Sequence, residues 1–351
     1  MAEHEILVSV VCITYNHENF ISQAIDSFLY QKTNFRFEII IHDDASTDKT
    51  LEIINEYAND HPDVIKIINQ SVNQYSQGKR VYPIALEYCK GNFIAFCDGD
   101  DYWISQNKLQ LQVDVLNKNL DSDLCFHNSF KLLQNGKLKN FNSGFNKIYF
   151  SDIKSLFSKT KINTKSKSNL FFKVPTEKII VRGGEFMHTG SLLIRSRALK
   201  PLPDFLYSSA VSDYYLQILG SIRGGAVQLN QPMSCYRAQS SRLSWSVRMD
   251  KYENRKEWYD ATIETNHLMN RYLKYKFDKS FMIINANCFC HMAIYYLRLG
   301  MFKNYYNLVL DSRNFPNNKD KVYCFIYYLT SPIILIIIRL NNFIKTLNKT
   351  N

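Results

Sequence analysis

Four short apolar segments separated by amphipathic ones occupy residues 6–97, and this alternation limits the possible folds more than any other feature of the chain. Residues 20–29, residues 46–58 and a segment that ends near residue 90 place their apolar side chains on one face of a helix. Strands that alternate with helices at this spacing imply right-handed crossovers. We therefore predict an α/β protein with a Rossmann-like, mainly parallel sheet flanked by helices. The predicted strands are Ile6–Thr14, Phe37–His42, Val64–Asn69 and Asn92–Cys97.

The pattern changes after residue 101. An amphipathic segment predicts a helix over residues 108–119, and Asn135-Gly136 is a hairpin turn signal that follows a predicted strand at 124–130. Residues 186–195 and 226–237 are further strand candidates around a helix from Asp213 to Ile222. From about Met249 onward the sequence predicts helix and is rich in tyrosine. We expect an α/β domain over residues 1–245 and a helical C-terminal region over residues 246–351.

Composition and charge exclude several protein classes. Of the 351 residues, 46% are hydrophobic and 14% are aromatic, which excludes a disordered or fibrous protein. The net charge of +11 is uneven, since residues 131–182 carry twelve Lys and Arg side chains against Asp152 and Glu177. This basic block is either a solvated surface or one that meets phosphates, acidic glycan or anionic lipid. It lacks the regularly interleaved aromatic side chains of a base-stacking platform, so we expect no nucleic acid partner.

The cysteines and the N-terminus bear on the compartment. Eight cysteines show no metal-binding spacing, because Cys288 and Cys290 form the only close pair. Cys12 and Cys97 lie inside apolar strands, as small core residues do. Free buried thiols suit a reducing compartment. The polar start of the chain, residues 1–5, carries no secretory signal. We expect a cytoplasmic protein.

Near the C-terminus, Val322–Ile338 is an uncharged run flanked by Lys319, Lys321 and Arg339. The run is slightly short for a bilayer span, and Pro332 interrupts it. Three interpretations stay open: a buried terminal helix pair, an interfacial membrane anchor with flanking cations, and a single span. The second would place the protein peripherally at the inner face of the plasma membrane.

An acidic turn follows the fourth predicted strand. Asp98-Gly99-Asp100-Asp101 comes directly after an apolar segment. Carboxylates gathered in one place repel one another and are costly to hold together without a cation. Asp98 and Asp100, separated by one glycine, are suited to holding Mg²⁺ or Mn²⁺ while leaving coordination positions open for a diphosphate. The alternative, a solvated helix-capping turn, fits the aromatic residues that follow less well.

A second acidic pair, Asp43-Asp44, follows the second predicted strand. In an open α/β sheet the carboxyl ends of the strands are where ligands bind. A carboxylate there can accept hydrogen bonds from a nucleobase or a ribose, and Tyr15, at the end of the first strand, could stack on the same base. Gly78-Lys79-Arg80 could supply phosphate contacts, but three residues are a weak signal, and surface charge is the better explanation of the basic pair. The sequence contains neither a dinucleotide-binding nor a P-loop glycine motif.

Asp213 opens an otherwise apolar helix, Tyr214–Leu219. It is either an N-cap or a general base whose carboxylate the helix N-terminus would keep ionised.

Several of these segments resemble family 2 glycosyltransferases, which are inverting enzymes with a GT-A fold. The resemblance rests on Val8-Ser-Val-Val-Cys-Ile-Thr-Tyr-Asn16, Asp43-Asp-Ala-Ser-Thr-Asp48, Cys97-Asp-Gly-Asp-Asp-Tyr-Trp103 and the Asp213 helix, which occur in the family's order. It is strong over residues 5–130, moderate over 185–245 and absent for the tail.

The resemblance implies a role for each matching residue. Asp98 and Asp100 match the family's Asp-x-Asp motif, which holds the metal and the nucleotide-sugar together with Gly99. Asp213 matches the catalytic base, although this chain has Ser212-Asp213 where the family often has Glu-Asp or Gly-Asp. The positions that hold the nucleotide are matched by Thr14, Tyr15, Asn16, Asp43 and Asp44. The loop that lines the donor sugar and the acceptor entrance is matched by His188, Thr189, Gly190 and Ser191.

The segment after the last predicted strand argues against a processive synthase. Tyr236–Trp245 contains Gln-x-x-Arg followed by Leu243, whereas processive members of the family have Gln-x-x-Arg-Trp and several membrane helices. We therefore expect a single-addition enzyme, in which Arg237 or Arg242 could contact the diphosphate.

These observations lead to one prediction: a metal-dependent inverting glycosyltransferase of the bacterial surface-polysaccharide type. It would use Mn²⁺ or Mg²⁺ and a UDP-sugar, with a glycan or lipid-linked acceptor. Two other classes remain. Gly99-Asp100-Asp101 also resembles a turn of template-dependent polymerases, and the same fold could serve as a non-catalytic nucleotide- or glycan-binding module.

Overall fold

The computed structural model describes residues 5–141, 171–209, 212–238 and 252–301, together with residues 303, 304 and 307. The chain divides into two compact units, residues 1–250 and residues 251–351.

Four parallel strands form the first half of a central sheet. The strands are β1 (Ile6–Thr14), β2 (Arg36–Asp43), β3 (Ile65–Asn69) and β4 (Phe93–Asp98), and the helices are α1 (Ile21–Leu29), α2 (Thr50–Asp60) and α3 (Val81–Leu86). The spatial order of the strands is β3-β2-β1-β4. Helices connect them, as the alternating sequence pattern predicts, so the α/β class is confirmed.

The second half of the sheet is mixed in direction. A short strand is antiparallel to both of its neighbours, β4 and the strand that begins at Leu124, so it links two sets of parallel strands. The remaining elements are β5 (Tyr102–Trp103), β6 (Leu124–Leu132), β7 (Leu138–Asn140), β8 (Phe171–Val174), β9 (Leu193–Arg195) and β10 (Ala226–Arg237), with helices α4 (Lys108–Lys118), α5 (Thr176–Arg182) and α6 (Ser212–Ser221). The spatial order continues from β4 as β9-β6-β10-β5, while β7 pairs with β6 and β8 pairs with β10.

Two predicted elements differ from the structure. The predicted strand at 186–195 is a strand only over Leu193–Arg195, and two 3₁₀ turns, Gly184–Phe186 and Thr189–Ser191, precede it. Side chains from elsewhere in the chain bind the carbonyl groups of Gly190 and Ser191, so these groups are not paired in the sheet. The helix expected to reach residue 90 ends at Leu86.

The core lies between the sheet and the helices packed on it. In α1 the side chains of Ile21, Ala24, Ile25 and Phe28 are fully buried, because residues spaced three and four apart share one face of a helix. Burying a side chain such as Phe28 stabilises the fold by about 1.5–3 kcal/mol. The Phe28 ring meets the ring of Trp103 edge-on, with 4.7 Å between their centroids. The core thereby fixes the segment that directly follows the acidic turn.

The second unit contains two long helices, α7 (Tyr252–Tyr272) and α8 (Asp278–Arg298). A buried amide pair joins them, in which Asn266 Nδ2 donates to Asn285 Oδ1 over 2.7 Å. Within the described part of the chain, no helix is long and apolar enough to cross a membrane. The uncharged run at 322–338 lies outside the described residues.

Candidate active site

The site is built where β1 and β4 end side by side. The backbone N–H of Gly99 donates to Ile13 O over 2.8 Å and so ties the acidic turn to β1. A Cβ on Gly99 would lie 2.8 Å from Thr14 Oγ1 and 3.0 Å from His17 Nδ1. Only glycine permits this approach, so the glycine between the two aspartates is required for the turn to sit against the end of β1.

Three carboxylates converge in this turn. Single oxygen atoms of Asp98, Asp100 and Asp101 all lie within 4.8 Å of one another. Burial, and then the charges of Asp100 and Asp101, raise the pKa of Asp98 to about 8, although a hydrogen bond from Tyr82 opposes the shift. Clustered carboxylate oxygens are the ligands that Mg²⁺ and Mn²⁺ prefer. The three side chains therefore fit a divalent cation, which would relieve their mutual repulsion.

The three carboxylates differ in their surroundings. Asp101 is 1% exposed, and its two oxygens contact His188 Nε2 at 2.8 Å and the backbone N–H of Arg237 at 2.7 Å. Burial and the neighbouring Asp100 raise the pKa of Asp101. Asp98 and Asp100 are half-buried, and His17 Nε2 lies 4.0 Å from Asp100 Oδ2. Asp98 and Asp100 are thus the more accessible pair, while Asp101 anchors the turn.

Arg237 supports the acidic turn from β10. Its guanidinium group lies over the rings of Phe20 and Tyr102, with 5.1 Å and 4.6 Å to their centroids. It also donates hydrogen bonds to the carbonyl oxygen of Asp100 and to the side chain of Gln23. These contacts assign Arg237 a part in holding the turn. Arg242, the other candidate for a diphosphate contact, lies outside the described residues.

Asp43 and Asp44 are buried at the end of β2 and hold two loops. Asp43 accepts hydrogen bonds from the Ser46 hydroxyl at 2.5 Å and the Ser46 N–H at 2.9 Å. Asp44 accepts from the backbone N–H groups of Gln74 at 2.7 Å and Tyr75 at 3.1 Å. The two carboxylates therefore order the loops that follow β2 and β3, beside the end of β1.

Asn16 joins the loop after β1 to the loop after β2. Its backbone N–H donates to Ser46 Oγ at 2.9 Å, and its side-chain oxygen accepts from Thr47 N at 2.8 Å. Thr14 is buried, with its Oγ1 3.2 Å from His17 Nδ1, and Tyr15 is half-buried. The structure thus brings Thr14, Tyr15 and Asn16 together with Asp43.

Gly78 and Arg80 lie in the loop that Asp44 orders. Gly78 has φ of +78°, where a side chain would be strained. Arg80 lies over the Tyr75 ring at 4.9 Å, and its side chain donates to the carbonyl oxygen of Ser209. Its backbone N–H donates to Tyr207 O at 2.8 Å. Arg80 thereby fastens this loop to the segment preceding α6.

The turn over His188–Ser191 lies between the acidic turn and Asp213. The buried His188 ring contacts Ser129 and Ser234 through Nδ1, at 3.2 Å and 3.0 Å, and Asp101 through Nε2. Burial lowers the pKa of His188 to about 4. The next residue, Thr189, donates from its hydroxyl to Asp213 Oδ2 over 2.9 Å. His188 therefore faces the interior, and Thr189 reaches the candidate base.

Asp213 lies in the first turn of α6, where Oδ1 accepts the N–H of Tyr214 at 2.9 Å. Burial raises the pKa of Asp213, and the hydrogen bonds from Thr189 and Tyr214 oppose that rise. The charge of Asp213 in turn raises the pKa values of Asp98 and Tyr82. The candidate base and the acidic turn therefore share one electrostatic environment.

The contacts of His17 and Tyr82, and the distinct role of Asp101, were not predicted from the sequence. Tyr82 is 6% exposed and donates to Asp98 Oδ1 over 2.5 Å. It lies in a short helix 16 residues before Asp98, and no local pattern marks it. His17 closely follows the strand that ends at Thr14, and this proximity was the one available signal.

Residues 9–182 match the family model described as Glycosyl transferase family 2. An uncharacterised protein of Mycobacterium tuberculosis is 28% identical over 261 residues, 73% of this chain and 67% of its own length. A UDP-Glc:alpha-D-GlcNAc-diphosphoundecaprenol beta-1,3-glucosyltransferase of Escherichia coli is 35% identical over 133 residues, 38% of this chain and 49% of that enzyme.

The fold has solved counterparts. A mannosyltransferase from Pyrobaculum calidifontis, solved in complex with GDP-Man and Mn²⁺, matches with a TM-score of 0.51 and 13% sequence identity. The match covers 97% of this chain and 88% of that protein. At this identity the likeness concerns the fold, and it confirms the predicted GT-A arrangement.

Proposed function

This chain belongs to glycosyl transferase family 2, and we propose that it is a metal-dependent, inverting, non-processive enzyme. It moves one sugar from a UDP-sugar to a hydroxyl group of a glycan or lipid-linked acceptor during synthesis of a bacterial cell-surface polysaccharide. One observation carries the proposal: three clustered carboxylates at the end of β4 share an electrostatic environment with Asp213, a half-buried carboxylate that accepts a hydrogen bond from Thr189.

The donor lies at the joined ends of β1, β2 and β4. Tyr15 and Asn16 line the nucleoside, and Asp43 and Asp44 act through the two loops that their carboxylates hold. Gly78 and Arg80 belong to the second of these loops. A UDP donor is supported by the Escherichia coli relative, whose name specifies UDP-Glc.

Asp98 and Asp100 would hold the metal, with Asp101 supporting their turn. When bound, a divalent cation neutralises negative charge on a departing diphosphate. Mn²⁺ in the mannosyltransferase of similar fold supports this assignment. The protein's own contribution is to hold two carboxylates close together against β1, which the Gly99 contact and the Arg237 hydrogen bonds accomplish.

Asp213 is the general base. Its carboxylate takes the proton of the acceptor hydroxyl, the hydroxyl oxygen forms a bond to the anomeric carbon, and the bond from that carbon to the diphosphate oxygen breaks. Burial favours this role because it raises the carboxyl pKa and so strengthens the base. Thr189 holds one carboxylate oxygen in place. One displacement by an activated hydroxyl inverts the anomeric centre.

The deciding experiment replaces Asp213 with Asn, which keeps the shape and removes the proton acceptor. A thermal-shift screen of nucleotide-sugars first identifies the donor that the wild type binds. The affinity of Asp213→Asn for that donor should be nearly unchanged. Transfer should fall by about 10²–10⁴-fold, the usual contribution of a positioned general base. NMR of the wild-type product should show the anomeric configuration opposite to that of the donor. Retained configuration, or normal turnover by Asp213→Asn, would contradict the mechanism.

We also place the enzyme at the inner face of the plasma membrane. The support is the uncharged run 322–338 with its flanking cations, together with the diphosphoundecaprenol acceptor in the name of the Escherichia coli relative. Truncation after Asp320 should reduce sedimentation with anionic vesicles and spare transfer to a soluble acceptor. Unchanged sedimentation would contradict the placement.

A further inference from the structure

Lys108 is a buried lysine at the start of α4 that the proposed mechanism leaves unused. Its side chain is 0% exposed. The ammonium group donates to Gln112 Oε1 over 2.8 Å and lies 4.1 Å from the centroid of the Trp103 ring. Among the described residues, no carboxylate lies within 4.0 Å of it. A lysine buried without an ion pair is costly to keep charged, and burial lowers the pKa of Lys108 to about 7. The contacts that Lys108 makes therefore need an explanation beyond stability.

Both neighbours of Lys108 reach the same turn. Trp103 donates from its indole nitrogen to Gly190 O over 2.9 Å. Gln112 donates from Nε2 to Ser191 O over 2.8 Å. The turn is thus held at two successive carbonyl groups, by two side chains that meet at one ammonium group.

The same turn reaches Asp213 directly. Thr189, which precedes Gly190, donates to Asp213 Oδ2 over 2.9 Å. A continuous path therefore runs from Lys108 through Trp103 and Gln112 to the turn, and from Thr189 to Asp213.

We propose that Lys108 is a positioning residue for the general base: its ammonium group fixes Trp103 and Gln112, which set the place of the 189–191 turn and hence the orientation of Asp213. The proposal rests on the proposed function, because it assigns Lys108 an effect that acts through Asp213. The ammonium group serves here because it can donate to an amide oxygen and face an aromatic ring at the same time. Methionine would fill much of the same volume without either contact.

A double-mutant cycle tests this inference. Lys108→Met, made in the wild type, should lower the kcat of transfer by about 10–100-fold, since small displacements of a catalytic group can cost that much. UDP-sugar affinity should change by less than about threefold. In the Asp213→Asn background the same substitution should have almost no further effect on kcat, because a positioning effect cannot operate once the base is gone. Lys118→Met, at an exposed position on the same helix, is the matched control.

Trp103→Phe is the second variant. It keeps an aromatic ring beside Lys108 and removes the indole N–H that binds Gly190 O, together with part of the ring. Trp103→Phe should likewise lower kcat in the wild type and have almost no further effect in the Asp213→Asn background. If Lys108→Met does not fold, this variant alone tests the inference. An equal loss of kcat in both backgrounds would overturn the inference and leave Lys108 a purely structural residue. Failure of the proposed function is distinguishable, since Asp213→Asn by itself would then retain transfer.

Discussion

Tyr82 donates a 2.5 Å hydrogen bond to Oδ1 of Asp98, and this bond opposes the burial and the neighbouring charges that raise the pKa of that carboxyl. The phenol is itself 6% exposed. Burial, and then the charge of Asp98, raise the pKa of Tyr82, so the phenol remains a donor. Tyr82 thus favours the ionised form of Asp98, the form that a metal requires.

Tyr82→Phe should weaken Mn²⁺ binding at pH 7. With the hydrogen bond in place the pKa of Asp98 is about 8, and without it the pKa should be higher. Protons then compete more strongly with the metal for the carboxylate, so metal binding requires a higher pH. A hydrogen bond to a charged group contributes about 1.5 kcal/mol or more, so the dissociation constant should rise by about tenfold. Mn²⁺ titration by calorimetry at several pH values measures both effects. Tyr88→Phe, at a residue that is 54% exposed, is the control, and unchanged affinity in Tyr82→Phe would contradict the assignment.

Transfer should depend on a divalent metal. EDTA should abolish product formation, and added Mn²⁺ or Mg²⁺ should restore it. Asp100→Ala should lose activity without a lower melting temperature, because removing one of three mutually repelling carboxylates relieves unfavourable charge. A radiochemical transfer assay and a thermal melt measure the two quantities, with the exposed Asp63→Ala as control. Full turnover in EDTA would exclude the metal assignment.

The pH profile should respond to Thr189→Val. The base acts when ionised, so the rate falls as pH drops through the pKa of Asp213, which burial raises. Removing the Thr189 hydroxyl removes a hydrogen bond that lowers this pKa. The acidic limb of kcat should therefore move to higher pH in Thr189→Val and return in Thr189→Ser. If the acidic limb stays at the same pH in Thr189→Val, the Thr189 hydroxyl does not influence the pKa of the base.

An ion pair with one buried partner, near the strand ends opposite the acidic turn, predicts a pH-dependent stability. Glu38 is 0% exposed and accepts from Lys66 Nζ at 2.7 Å. Burial raises the pKa of Glu38, but hydrogen bonds from Lys66, Ser9 and Lys90 outweigh it, so the folded-state pKa is lowered.

Lys66→Met should reduce the free energy of unfolding by about 1–2 kcal/mol at pH 7. This loss is smaller than the loss expected on breaking a fully buried ion pair, because Lys66 is partly exposed. A carboxylate with a lowered pKa stabilises the fold fully above its unfolded-state value of about 4.3. The difference between variant and wild type should therefore shrink as pH falls below about 4. Urea unfolding at pH 7 and pH 3.5 measures this, with the exposed Lys32→Met as reference. A difference independent of pH would mean that the two side chains interact through packing alone.

The first 130 residues were predictable from sequence because their signals are local. In this part of the chain β1 has the predicted bounds, Ile6–Thr14, since a run of apolar residues specifies a buried strand. Farther along the chain, β10 also has its predicted bounds, Ala226–Arg237. The acidic turn was found because its three aspartates fall within four consecutive residues, 98–101. The family was identified from the same local segments, and the family model matches residues 9–182.

The error at residues 186–195 shows where such signals end. Apolar residues there predict one strand, yet Gly190 lies in a 3₁₀ turn, and its carbonyl group accepts a hydrogen bond from Trp103, 87 positions earlier in the chain. Local periodicity contains no information about a donor so far away in sequence.

The sequence by itself determined the α/β class, the positions of the acidic residues at the strand ends, and the family. Only the tertiary structure decided what each carboxylate does: Asp44 binds a loop 30 residues later in the chain, Asp101 contacts His188, and Asp213 meets Thr189. The reason is physical. Strand and helix formation depends on neighbours in the chain, whereas partners of buried polar groups depend on the order β4-β9-β6-β10 in the sheet, which brings distant segments together.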